Sequence, residues 1–249
     1  MFRFLALLLL LPALSLGQQI HAHNDYEKPN PLVDAYQQRA DFIEADVFLV
    51  NGKLVVAHER KQIDTTKTLE SLYLNPIVAL FEKNGGYVSP RRDYTFSLVI
   101  DMKDGFEEVI PKLVEILQMN LAVFNRGLNP NAVRIVLSGN RPKPAALFDY
   151  PPYIFFDGRP SEVYDSETLQ RVALISDSFL GYSRWDGTGD LPDADREKLK
   201  RVIRRAHGEN KPIRFWAIPD VPNAWKQLRK LGVDVINTDK VAEATAALK

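Results

Sequence analysis

The chain contains no cysteine, only three methionines and four histidines, and no surplus of charge, its 32 basic and 32 acidic residues cancelling. Without cysteine no disulfide can form, so the core must hold by burial alone. A lipid anchor of the kind that needs a cysteine after a cleavage site is excluded for the same reason. Zero net charge with no basic block makes nucleic acid a poor partner. No Gly/Ser-rich or Pro-rich stretch divides the 249 residues, which suits one large barrel-sized domain. A glycine-rich first turn is missing too: His23-Asn24-Asp25-Tyr26 stands where a dinucleotide-binding fold would carry it.

Long apolar runs are absent except at the start. Met1-Phe2-Arg3 leads into an apolar run from Phe4 to Leu16, closing on Ser15-Leu16-Gly17. A basic start, an apolar centre too short to span a bilayer and a small residue before the cut are the build of a cleavable export signal. We therefore expect residues 1–17 to be removed and residues 18–249 to form one exported domain, periplasmic or extracellular. That domain is expected to be monomeric and to have no membrane span.

What is present is an alternation of short apolar runs with longer amphipathic stretches. The runs are Gln19 to His23, Phe42 to Phe48, Phe96 to Asp101, Val133 to Leu137, Tyr153 to Phe156, Val172 to Ile175, Ile213 to Ile218 and Val233 to Asn237. Between and after them, Leu32 to Arg39, Leu69 to Lys83, Phe106 to Asn125, Pro144 to Phe148, Ser166 to Arg171, Asp193 to His207, Pro222 to Leu231 and Val241 to Leu248 read as helices. Strict alternation implies parallel strands with right-handed crossovers, and eight units in one domain predict a closed (β/α)8 TIM barrel. Lys53 to His58, following the turn pair Asn51-Gly52, reads as a small hairpin arm on the second strand.

In such barrels the chemistry sits where the strands end. In Phe42-Ile43-Glu44-Ala45-Asp46-Val47 the two acids are two residues apart, so strand periodicity turns both inward and sends Ile43, Ala45 and Val47 toward the helices. The same phase brings Asp101 inward on the next strand, with Lys103 beyond it. Two carboxylates about 4 Å apart repel by roughly 4 kcal/mol at an effective dielectric near 20. Lys103 or an arginine could neutralise them as a structural ion pair, but the cost of buried unpaired acids favours a cation held by Glu44, Asp46 and Asp101. Oxygen-only ligands select Mg²⁺ or Ca²⁺ over zinc. Three of the four histidines, His21, His23 and His58, fall near the carboxyl ends of the first two strands; His207 sits in the last turn of a helix. Two histidines beside a cation can take a proton from an attacking oxygen and give one to a leaving oxygen. His21 and His23 share an inward phase, and periodicity alone nominates either.

His23, the acid pair in Ala40 to Val47, and Gly52 to His58 resemble the first third of the glycerophosphodiester phosphodiesterases. Asp101-Met102-Lys103 is similar to the third metal acid and lysine of the sphingomyelinase D toxins. Arg214-Phe215-Trp216 and Gly232 to Asp239 resemble the last two strands of the same superfamily. The opening His21-Ala22-His23-Asn24-Asp25-Tyr26 looks like the signature of the altered-inheritance-of-mitochondria protein 6 group, a branch of the phosphatidylinositol-specific phospholipase C-like phosphodiesterases. The resemblance implies metal-dependent cleavage of a phosphodiester in a phospholipid or glycerophosphodiester head group. His23 and His58 would be the acid/base pair and Glu44, Asp46 and Asp101 the metal ligands. Asn24 and Lys103 would add donors to the phosphate; Trp216, by its place at the rim, would bind a head group or fill the barrel mouth, and His21, one inward position deeper, would orient His23 or one of the metal ligands through a hydrogen bond. Asn24 stands where glycerophosphodiesterases carry a phosphate-holding arginine, so substrate identity does not carry over.

Two rival readings compete. His21-x-His23 also resembles the metal-binding start of amidohydrolase barrels, but that class needs further histidines on later strands, and none follows there. A barrel that binds a phosphorylated head group or sugar without cleaving it is the other, since fold alone does not fix function.

Overall fold

The structure, a computed structural model, describes residues 18–248. The segment read as an export signal lies outside the described residues. Eight parallel strands close into a barrel: β1 (Gln19–Ala22), β2 (Phe42–Val50), β4 (Ser97–Met102), β5 (Arg134–Gly139), β6 (Ile154–Gly158), β7 (Val172–Ser178), β8 (Ile213–Trp216) and β9 (Val235–Thr238). Each pairs with its neighbour in that order, and β1 closes the ring by pairing with both β9 and β2. One further strand, β3 (Lys53–Val56), runs antiparallel to β2 outside the ring. Asn51 and Gly52 make the turn with φ of 49° and 74°, as a tight hairpin between right-twisted strands requires. The arm delivers His58 to the carboxyl mouth.

The helices are α1 (Val33–Gln37), α2 (Asn75–Lys83), α3 (Phe106–Gln118), α4 (Leu121–Phe124), α5 (Asp193–Gly208), α6 (Pro222–Leu231) and α7 (Val241–Leu248). Their termini follow the sequence: α6 opens on Pro222, whose missing N–H costs nothing there, and stops at Gly232 in the left-handed conformation. The acids Asp193 and Asp195 begin α5, while Arg205 and His207 end it, complementing its dipole.

Four expected helices differ. The stretch Leu69 to Lys83 opens with a π-turn over Glu70–Leu74 before α2, because Pro76 has no N–H to give the carbonyl one turn back. Phe106 to Asn125 breaks in two at Asn120 (φ −138°), a residue whose amide competes for the backbone. Pro144–Asp149 and Thr168–Arg171 are single 3₁₀ segments rather than α-helices. The seventh barrel strand, β8, also stops early, at Trp216, because Ala217 takes φ of 55°.

Two apolar layers hold the fold. Between strands and helices lies the main core, which includes Ile43, Ala45, Val47, Phe215 and the fully buried Trp225. Side chains the size of Ile43, Val47 and Phe215 each contribute about 1.5–3 kcal/mol by burial. Inside the barrel a smaller plate is formed by Phe42, Val99, Val136, Ala173, Leu174 and Val235, with Phe155 against it. Directly above the plate the inward positions His21, Glu44, Asp101, Ser138, Asp157, Ser176, Arg214 and Asn237 are polar. Among the described residues no helix is long and apolar enough to cross a membrane.

Candidate active site

The inward residues of β2 and β4 are placed by register, Asp46 opposite Asp101 and Glu44 opposite Val99. The closure of the ring then sets His21 across from Phe42 on β2, its ring stacked on that phenyl at 6.0 Å. Glu44, Asp46 and Asp101 converge, each offering an oxygen within 4.8 Å of the others.

These acids are not equivalent. Glu44 is buried and held on one side by His21, whose Nε2 lies 2.5 Å from Oε2, and on the other by Arg214, whose Nη1 lies 3.1 Å from the same oxygen. Burial alone would raise its pKa, but the hydrogen bond from His21 and the Arg214 charge hold it well below the carboxylate range. Asp46 is pushed up to about 6 by burial and by the charges of Glu44 and Asp101. Asp101 is raised for the same reasons, burial first and Glu44 next. Lys103 answers both: its Nζ lies 2.8 Å from Asp46 Oδ2 and 3.1 Å from Asp101 Oδ1. Asp46 Oδ2 also accepts from the Tyr26 hydroxyl at 2.7 Å, leaving Oδ1 buried without a partner. A buried carboxylate oxygen with no donor, beside two further acids, fits a hard cation.

Histidines flank the cluster on two sides. His23 has its Nδ1 2.8 Å from Asp239 Oδ1 and its Nε2 3.9 Å from Glu44 Oε1. Burial would lower its pKa, but the bond to Asp239 and the charge of Glu44 raise it. His58, half exposed on the far side, has Nδ1 3.0 Å from the Tyr26 hydroxyl and 3.3 Å from Asp46 Oδ2. His21 is fully buried and held down to about 4 by desolvation and by Arg214, so it is neutral; it contacts Glu44 rather than orienting His23. Asn24, in the left-handed region at φ 49°, stands at the mouth with its Oδ1 2.9 Å from the Tyr26 hydroxyl. Trp216 ends β8 at the rim, and the guanidinium of Arg159 lies over its ring at 4.9 Å.

The opposite wall carries groups that strand patterning left ambiguous or passed over. Arg214 joins the halves of the barrel, binding Glu44 through Nη1 and Asp157 through Nη2 at 3.2 Å. Asp157 also accepts from Ser138 at 2.8 Å and from Ser176, and pairs with Arg159 at 2.9 Å. Burial would raise its pKa, yet Arg159 and Arg214 lower it. Arg159 and Asp239 each continue the inward phase of a strand two residues past its last inward acid or amide, Asp157 and Asn237. Extending the period of two beyond the apolar run would have found both.

A (β/α)8 barrel whose carboxyl mouth holds a three-acid cluster between two histidines has the architecture of the phosphodiesterase barrels. Residues 15–157 match the AIM6-like phosphodiesterase domain, and residues 212–242 match the glycerophosphoryl diester phosphodiesterase family. The chain belongs to the AIM6-like phosphodiesterase domain family. It is 26% identical to an altered inheritance of mitochondria protein 6 homolog of Arthroderma benhamiae, over 90% of this chain and 82% of that protein. The corresponding protein of Eremothecium gossypii is 27% identical, over 89% and 67%. Among solved structures, a glycerophosphodiester phosphodiesterase from Parabacteroides distasonis superposes with a TM-score of 0.57 at 14% identity, covering 93% of this chain and 96% of that one. A calcium-dependent phosphoinositol-specific phospholipase C from a Pseudomonas species gives 0.57 at 12% identity, over 90% and 89%. At these identities the two structures share the fold.

Proposed function

We propose that this protein cleaves a phosphodiester in a phospholipid or glycerophosphodiester head group, with Mg²⁺ or Ca²⁺ as cofactor and His23 and His58 as general base and general acid. The observation that carries this reading is the convergence of Glu44, Asp46 and Asp101, with Asp46 Oδ1 buried and unpartnered, between two histidines at a solvent-accessible mouth. A divalent cation held by these three residues would neutralise charge developing on the phosphate.

The remaining chemistry belongs to the chain's own groups. Asp239 holds Nδ1 of His23, which fixes the tautomer and turns Nε2 toward the acid cluster, where it can take a proton from an attacking oxygen. His58 approaches from the Asp46 side, where it can return a proton to the leaving oxygen. Lys103 is charged: burial works against it, but Asp101 and Asp46 together raise its pKa, so it can donate to a phosphate oxygen as well as balance the acids. His21 stays neutral and, with Arg214, holds Glu44 in place for its ligand role. Trp216 supplies an apolar face at the rim for a head group. The activity belongs, on this reading, to an exported protein, which the basic-apolar-small pattern of residues 1–17 supports.

The test is turnover of a diester such as bis(p-nitrophenyl) phosphate, followed by a phosphorus NMR screen of glycerophosphodiesters and phospholipids. EDTA should abolish turnover and Mg²⁺ or Ca²⁺ should restore it, while Glu44→Ala should weaken cation binding measured by calorimetry. Full turnover by metal-free protein refutes the cofactor assignment, and no turnover on any diester refutes the reaction.

A further inference from the structure

The amino-terminal end of the barrel, beneath the apolar plate, opens into a cleft of about 810 Å³. Its roof is Phe42 and Ala173 of the plate, and Arg134 and Lys211 stand on its wall. Arg134 begins β5 in the same inward phase as Val136 and Ser138 and lies half-buried, its guanidinium over the Phe155 ring at 5.6 Å. Its side chain makes no hydrogen bond and no ion pair with any described residue. Lys211 has one partner, the Val172 carbonyl at 2.8 Å, and no carboxylate within ion-pair distance among the described residues. A third cation, Arg126, is near enough for Arg134 to repel it and is bound only to the Ala132 carbonyl.

Asp234, the acid of the cleft, makes no ion pair with either cation; its Oδ2 accepts from His207 Nε2 and from the Ile213 N–H, both at 2.8 Å. Arg229, also on the wall, donates to the Leu248 carbonyl. Desolvation therefore acts on Arg134 unopposed, and on Lys211 desolvation is reinforced by Arg134, so both lie below their ordinary pKa values. Half-buried cations are ordinarily matched by a carboxylate, since an unpaired one is costly. Here the fork of Arg134 and the point charge of Lys211 line one cavity with neither charge matched by a carboxylate and with N–H donors to spare, the chemistry that binds a planar or tetrahedral oxyanion.

We propose that this cleft is a second binding site, for an oxyanion of the phosphate class held by Arg134 and Lys211, independent of the carboxyl mouth. Ligand size follows from the cavity, which has room for a free phosphate or for a phosphate monoester with a small organic part extending past Asn210 and Gln18.

The site is tested on the purified chain by amide NMR during titration with inorganic phosphate and, separately, with glycerol 3-phosphate. Saturable shifts are expected at Arg134, Ala173, Lys211 and Val233, and these report the cleft even where a rim residue also responds. Arg134→Gln should weaken the response of that group about tenfold or more. Lys211→Gln should weaken it as well, and serves in case the first variant folds poorly. Rim shifts at Asp101 and Lys103 should persist in both variants. Tighter binding of the monoester would assign the site to an organic phosphate, and equal binding to free phosphate. Absence of cleft shifts with either probe, or shifts of undiminished affinity in both variants, overturns the proposal.

Discussion

Gly139 sits at the end of β5 with φ of +69°, pressed against the third acid of the cluster. A Cβ there would stand 2.6 Å from the Met102 carbonyl oxygen, 2.9 Å from the Met102 nitrogen, and overlap Asp101 Oδ1. Gly139→Ala therefore carries two penalties. Left-handed backbone costs an L-residue roughly 1–2 kcal/mol, and overpacking against main chain adds about 1–3 kcal/mol. Only the second displaces the Asp101 carboxylate. Gly85 separates them, because it has nearly the same φ, +63°, with nothing within 4 Å of its would-be Cβ. Thermal or urea unfolding should show Gly85→Ala losing the strain alone and Gly139→Ala losing more. Calorimetric titration with Mg²⁺ or Ca²⁺ should show affinity unchanged in Gly85→Ala and reduced roughly 10–100-fold in Gly139→Ala, as when a ligand's support is lost. Equal cation affinity in the two variants would refute the argument that Gly139 holds space for a metal ligand.

His23→Ala and His58→Ala should each lower diester turnover by a factor of 10² to 10⁴, and the double variant should be little worse than either single one, with cation binding retained in calorimetry. If His21→Ala is inactive while His23→Ala keeps its turnover, the assignment of the base is reversed. Lys103→Met should lower turnover with the cation still bound; unchanged turnover would reduce Lys103 to a charge-balancing role. Asp157→Asn should destabilise by roughly 3–5 kcal/mol, because it leaves Arg159 without its buried counter-charge and Arg214 with Glu44 alone. The Asp157 pKa is lowered by folding, so its contribution is complete above the unfolded value of about 3.9 and is lost as pH falls toward the folded one. The variant's urea stability should accordingly vary less with acid pH than the parent's, and equal acid sensitivity would count against the buried pair.

The strand sequence of the barrel was readable because polar residues interrupt apolar runs in a fixed phase. Glu44 and Asp46 show it on β2, Asp101 on β4, and His21 and His23 at the start. Parallel register then brings such residues together without further information. What failed to show lay where that phase gives out. Tyr26 touches Asp46, Asn24 and His58 from a 3₁₀ turn, Asp25–Glu27, which has no periodic signature. Arg214 was visible as an inward residue of β8, but its pairing with Glu44 spans 170 positions and depends on ring closure. Two of the four helical differences share a cause: apolar periodicity continues through Pro76 and past Asn120, whereas the backbone hydrogen bonds do not.

The plate of Phe42, Val99, Val136, Phe155, Leu174 and Val235 also fixes the traffic of the molecule. These side chains offer no donor or acceptor, so no file of hydroxyls or waters can relay a proton from one end of the barrel to the other. Under the proposed reaction, a proton accepted by His23 would have no rear exit, and substrate, protons and products would all share one door, the carboxyl mouth.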